Sequence, residues 1–99
     1  MLAKIHKTHD GKIVVAVCDS LLFGKKFVEA NLQLDLTTDF YNGEELEDDE
    51  IGDLIRNAYS VNLVGEQSVA LGIKEGVIEE KNVIKVQGVP HAEAIVIVE

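Results

Sequence analysis

Short β-branched runs lie at both ends of the chain and a helical apolar period lies in its middle. Residues 2–8 and 12–18 read as two strands joined across Asp10-Gly11, a dipeptide that favours a type I′ turn with positive φ at both positions. A two-residue loop there pairs His9 with Lys12, Ile5 with Ala16 and Ala3 with Cys18. Residues 13–17 are apolar on both faces, so the second strand is expected inside a sheet.

Residues 20–29 have no clean period and read as a short helical turn or ordered loop that ends extended. Leu32, Leu34 and Leu36 alternate with Gln33 and Asp35, the pattern of a half-buried strand. Residues 39–43 form a turn, and six of the seven residues from 44 to 50 are acidic. Carboxylates are favourable at a helix N-terminus. Ile51, Leu54, Ile55, Ala58 and Tyr59 follow at helical spacing, which places a helix start in the acidic run.

Residues 61–64 read as a short connector, with Asn62 as a helix cap. A second helix is expected over residues 65–75, with Val69, Ala70, Ile73 and Val77 as its apolar stripe and Gly76 in the left-handed position after its end. Gly65, Ser68 and Gly72 make a smooth strip beside it, open to close approach by the sheet, a partner or a ligand.

Two strand-like runs, 83–86 and 94–98, close the chain. Pro90 between them cannot donate to a ladder, so it is expected to break the pairing and to present His91 at the break. The order of elements predicts one α+β domain over residues 1–99. Its sheet is mostly antiparallel or mixed, of about five strands, with two helices packed on it.

At 46% apolar and 27% charged residues, the chain has the composition of an ordinary globular domain. Its longest apolar run, residues 13–18, is far shorter than the ~18 residues a membrane span needs. Lys4, His6 and Lys7 interrupt any apolar leader, so no membrane association is expected. A single cysteine gives no internal disulfide and suits a reducing cytoplasm.

The net charge of −9 is unevenly spread. Residues 1–30 hold five lysines against three acids, a balance of +2, and residues 31–99 hold fifteen acids against four bases, a balance of −11. Direct nucleic-acid binding needs a basic face and is not expected, although contact through a complex is compatible with this charge.

His6, His9, Asp10, Cys18, Asp19 and His91 invite a metal-site reading. The proposed hairpin register puts His6 on the face opposite Cys18 and His9 at the far end, and the His–Cys spacing matches no strong zinc pattern. No metal and no cofactor is therefore expected. Cys18 reads as a small core or edge residue, because no local charge stabilises a thiolate. Asp19, directly after a strand, caps the next turn or serves as a catalytic carboxylate. His91 needs a carboxylate or thiol neighbour to act as a base, and Asp19, Glu66 and Glu93 are the candidates. Residues 22–26, with Gly24, Lys25 and Lys26, make only a weak anion-site pattern.

Several segments together resemble a known family. They are Cys18-Asp19 with Leu22, Gly24-Lys25 and Phe27; Phe40-Tyr41-Asn42-Gly43-Glu44; Asn62-Leu63-Val64-Gly65-Glu66; and Gly88-Val89-Pro90-His91-Ala92. In order and spacing they resemble DUF424, a small archaeal family of unknown function, over almost the whole chain. Glu93 stands where a glutamine is expected after the proline-histidine-alanine motif. The resemblance implies an archaeal cytoplasmic protein without an assigned reaction, and it ranks translation or ribosome biogenesis first among partner systems. Residue by residue it marks Cys18, Asp19, Gly24, Lys25, Asn62, Gly65, Glu66, Pro90 and His91, without roles.

Two functions are weighed. The first is a non-enzymatic interaction module that meets a basic protein surface through Glu44, Glu45, Glu47 and their neighbours. The second is a small enzyme or ligand-binding domain. Its pocket would be formed by Cys18, Asp19, the Gly65 helix start and His91, with Glu66 or Asp19 orienting His91.

Overall fold

The computed structural model describes residues 1–97. In chain order its elements are β1 (Leu2–Lys7), β2 (Ile13–Cys18), β3 (Lys26–Glu29), β4 (Leu32–Asp35), β5 (Glu44–Glu45), α1 (Asp48–Arg56), β6 (Ser60–Val64), α2 (Glu66–Lys74), β7 (Ile84–Val86) and β8 (Val89–Ile95). Single 3₁₀ turns lie at Ser20–Leu22, Asp39–Tyr41 and Glu80–Asn82.

Six strands form one mixed sheet in the order β5-β1-β2-β6-β8-β7, and β3 pairs with β4 in a separate hairpin. Among the described residues only β2 and β6 run parallel; the other pairs are antiparallel. The α+β architecture expected from the sequence is therefore present, with one more strand in the main sheet and a small second sheet.

Each face of the sheet has its own core, which explains why β2 is apolar on both sides. Val15 and Val17 of β2, with Val61 and Leu63 of β6, pack against Ile51 and Ile55 of α1 and Val69 and Leu71 of α2. On the opposite face Ala16, Cys18 and Val64 pack against Leu34, Leu36 and Tyr41.

Five expectations are corrected here. The first hairpin closes one residue earlier, with Lys7 opposite Ile13, Ile5 opposite Val15 and Leu2 opposite Cys18. Thr8 N–H donates to the Lys12 carbonyl, Gly11 N–H donates to the Thr8 carbonyl, and Gly11 alone in the turn has positive φ. This is a three-residue loop with a glycine bulge rather than a type I′ turn. A one-residue slip exchanges the faces of a strand, so His6 shares a face with Cys18. It stands opposite Val14, four residues along β2. The separation still keeps the two apart, and no metal-ligating cluster occurs among the described residues.

Residues 61–64, read as a connector, are the central strand β6, paired on both sides and almost wholly buried. The acidic run is divided: Glu44 and Glu45 pair with Ala3 and Leu2, and α1 begins only at Asp48. The buried face of α2 is Ser68, Val69, Leu71 and Gly72, whereas Ala70 and Ile73 are exposed. The small residues thus face the sheet and let the helix approach it closely.

The fifth correction concerns Pro90, which interrupts nothing. β8 runs through it, with Lys85 opposite Pro90 and Val64 opposite His91. The reversal lies earlier, at Gln87-Gly88, where both residues have positive φ (51° and 78°) between the paired Val86 and Val89. Pro90 is tolerated because it sits on the last rung beside β6. Its carbonyl accepts from Gly65 N–H, and the Gly65 carbonyl, which would have met a Pro90 N–H, accepts from Val69 inside α2. Of the expected strand over 94–98, Ala94 and Ile95 form the end of β8, Val96 and Ile97 lie beyond it, and Val98 lies outside the described residues.

Candidate functional site

The parallel strands β2 and β6 end side by side, with Cys18 opposite Val64. Beyond β2 the chain turns through Asp19 and the 3₁₀ turn; beyond β6 it enters α2 through Gly65. The exit from the carboxyl ends of adjacent parallel strands leaves a crevice, the place where open sheets commonly hold ligands. Here the crevice is a cleft of about 380 Å³. Leu21, Leu22, Val89 and Pro90 supply its apolar wall, with Gly65 and Gly88 between them. Asp19, Ser20, Glu66 and Gln67 supply its polar wall.

Asp19 holds the two exits together. One carboxylate oxygen accepts from Ser68 N–H and Ser68 Oγ, both at 2.8 Å, and the other accepts from Gln67 N–H at 3.0 Å. It thereby caps α2 from a remote segment, because Gly65 at the N-cap has no side chain to do so. Gly65 is required here twice over: its φ is 108°, and a Cβ would stand 2.6 Å from the Asp19 carboxylate oxygens.

This capping decides the sign of the cleft. A free helix N-terminus offers amide donors and about half a positive charge to an anion. In α2 the Gln67 and Ser68 amides are engaged by Asp19 and the Gly65 amide by Pro90. One full carboxylate at the helix end, with Glu66 on the same wall, outweighs that half charge. The cleft is an acidic and apolar surface, not an anion cradle.

The expected site residues divide into those that meet at the cleft and those that do not. Asp19, Gly65, Glu66 and Pro90 line it. Cys18 and His91 do not. Cys18 is fully buried in the core opposite the helices. Burial, with the Asp19 charge next to it, pushes its thiol up to about 11. His91 shares that face, its side chain 14% exposed and its Nε2 3.5 Å from Glu93 Oε1. Nε2 has no hydrogen-bond partner among the described residues, and burial holds the imidazole below the usual histidine range against the opposing pull of Glu93. Asn62 lies two positions before the end of β6, opposite Glu93 and Ala16.

Gly24 and Lys25 organise the loop into β3. Gly24, with φ 87°, donates to the Leu36 carbonyl, and Lys25 N–H donates to the Leu22 carbonyl, leaving the lysine side chain exposed. Glu45 lies beside the cleft, where its carboxylate accepts from Ser20 Oγ and from the Met1 amine. Glu44 and Glu47 are exposed, and Glu47 N–H donates to Glu50 Oε1 at the start of α1.

Sequence reasoning missed the apolar wall. Leu21 is 88% exposed, the extreme among the exposed large apolar side chains. A signal was present: two adjacent leucines directly after a strand, in a segment without any period that would bury both.

The architecture and this cleft define a mixed-sheet α+β protein with a crevice at its parallel strand pair. A family model described as "Protein of unknown function (DUF424)" matches residues 6–97, and the chain belongs to that family. A crystal structure of an uncharacterized conserved protein from Methanopyrus kandleri is similar at 28% sequence identity and a TM-score of 0.81, covering 96% of this chain and 90% of that one. No curated protein matches the chain.

Proposed function

We propose that the protein is a non-enzymatic interaction module, which docks through its acidic surface onto a basic protein surface of a larger cytoplasmic assembly. Translation and ribosome biogenesis stand first among archaeal assemblies of that kind. The observation that carries this reading is the state of the acidic run. Glu44, Glu47, Asp48, Asp49 and Glu50 are all exposed, and none forms an ion pair among the described residues. Like charges held this close repel one another, and a basic partner relieves that repulsion while steering its own approach.

The cleft favours docking over catalysis for a related reason. A catalytic pocket of the expected kind would bring His91, Cys18 and Asp19 together. The lining includes Asp19 alone of the three, and its carboxylate is committed to α2.

The test is recovery of associated proteins from a lysate at low and high salt, with wild type and a Glu44→Lys/Glu47→Lys/Asp49→Lys variant. Glu45 is left in place because it holds Ser20. The reading expects one reproducible set of proteins, lost both at high salt and in the variant, while a thermal melt shows that the variant remains folded. Association indifferent to salt and to the reversals overturns it.

A further inference from the structure

We infer that the cleft at the ends of β2 and β6 receives a bulky apolar side chain from a lysine- or arginine-rich segment of a protein partner. This rests on the docking reading and names what the partner must present. The cleft and the acidic run form one continuous surface. Ser20, on the cleft wall, donates to Glu45 of β5. Gln67, on the same polar wall, also lines a neighbouring depression with Met1, Lys74 and Asp48, the last at the start of α1. A segment lying across the acidic run therefore reaches the cleft without leaving the protein surface.

The chemistry inside the cleft selects the anchor. Leu21 stands almost fully in water beside Leu22, Val89 and Pro90, with Gly65 and Gly88 also lining the cleft. An apolar side chain inserted there would cover Leu21 and exclude water from the wall, the arrangement of an interface hot spot. A volume of about 380 Å³ lies at the small end for ligand sites and accommodates one large side chain with its neighbours' stems.

Charge selects the flanks. The Gln67 and Ser68 amides are engaged by Asp19 and the Gly65 amide by Pro90, so an acidic or phosphorylated segment would meet the Asp19 carboxylate rather than a set of free donors. Glu66 on the wall and Asp48 beyond Gln67 instead set exposed carboxylates beside the opening, while Glu45 beyond Ser20 is already paired with the Met1 amine. Cationic residues flanking one apolar residue match that layout. A small free cation would leave Leu21 uncovered, and a nucleic acid would bring phosphates to carboxylates.

Three synthetic peptides titrated into the isotope-labelled full chain test the inference by amide chemical shifts. They are a lysine-rich peptide with one central leucine, the same peptide with a central serine, and a glutamate-rich peptide with the central leucine. The first is expected to shift the amides of Leu22, Gly65, Gln67, Gly88 and Val89. The serine version should bind about tenfold more weakly, and the glutamate version should cause no shifts. Leu21→Ser should weaken the first peptide by a similar factor without moving the melting temperature, since Leu21 is exposed in the folded protein.

Equal binding of the leucine and serine peptides, shifts confined to residues 44–50, or absence of binding overturns the cleft inference. The docking reading survives each of these outcomes if the lysate association still answers to salt and to the charge reversals. Loss of that answer overturns the docking reading itself.

Discussion

Asp19 and Ser68, 49 residues apart, are joined by two hydrogen bonds to a single carboxylate oxygen, one from the Ser68 amide and one from its hydroxyl. The carboxylate leaves β2 and caps a helix that follows β6, so one side chain fixes the geometry at which both parallel strands end.

Removing that carboxylate should be costly. Asp19→Ala strips two amides of their acceptor and leaves the Ser68 hydroxyl, 1% exposed, without a partner. Loss of the cap and of the charge-assisted bonds should destabilise the fold by about 2–4 kcal/mol. Asp19→Asn, which keeps one acceptor oxygen, should lose about half as much. Urea unfolding at constant m-value measures both, and a shift under about 0.5 kcal/mol for the alanine variant would contradict the capping role.

Gly72→Ala should lower the melting temperature. Alanine gains about 1 kcal/mol over glycine in a helix interior. Here, however, the added Cβ would stand 2.9 Å from Ile78 Cγ1 and closer still to Leu63 Cδ1, both in the main core. Overpacking of that kind typically costs about 1–3 kcal/mol, and the fully buried Leu63 has little room to yield. A stabilised variant would show that the core gives way at this contact.

Cys18 should resist thiol reagents in the folded protein and react on unfolding. Burial and the neighbouring Asp19 raise its pKa from 9.0 to about 11. Between those values the unfolded chain has lost the proton and the folded chain keeps it. Cys18 therefore makes stability fall as pH rises from about 9 to about 11. Comparing denaturation midpoints of wild type and Cys18→Ala across that range isolates the effect, and identical pH profiles would exclude it.

His91 acts in the opposite direction at lower pH. Its folded pKa lies below the usual 6.5 because of burial, with Glu93 pulling it back. As pH falls through 6.5 the unfolded chain takes up the proton first, so stability falls until the folded pKa is passed. Proton NMR of the His91 ring should give a midpoint below 6.5, and Glu93→Gln should move it lower still. A midpoint at or above 6.5 would contradict the burial of the imidazole.

Gln87→Asn should stabilise the protein. Gln87 occupies φ 51° in the first central position of a two-residue turn with Gly88, and asparagine enters that region more readily than glutamine. Recovering part of the left-handed penalty should yield about 0.5–1 kcal/mol, read as a higher denaturation midpoint. The backbone bond from Gln87 N–H to Glu29 Oε1 is retained in the variant.

The elements the sequence made legible are those with long or periodic patterns. The doubly apolar β2, the alternating leucines of β4 and the helical period after Ile51 all specified their own structure. Val61-Asn62-Leu63-Val64 did not, because a strand of that length between two helices has the same pattern as a connector until its neighbours β2 and β8 are known. Pro90 misled for a related reason: whether a missing N–H matters depends on its opposite group, here the Gly65 carbonyl already used by α2. At the site, the meeting of Asp19 and Gly65 was legible as a strand end and a helix start. The exclusion of His91 was not, because the reversal at Gln87-Gly88 brings residues 88–90 to the cleft while residue 91 already stands opposite Val64 within the sheet, its side chain beside Glu93.

The sheet's borders restrict how any partner can attach. One outer strand is the pair Glu44–Glu45; the other is Ile84-Lys85-Val86 with an exposed lysine at its centre, and β1 beyond its pairing with β5 carries Lys4 and Lys7. Short, charged borders resist the addition of a further strand. Strand addition at these borders is thus disfavoured relative to side-chain contact on the surfaces between them. Replacing both glutamates of β5 with valine would remove that protection on one side and is expected to promote self-association through the sheet, read as an apparent mass that rises with protein concentration.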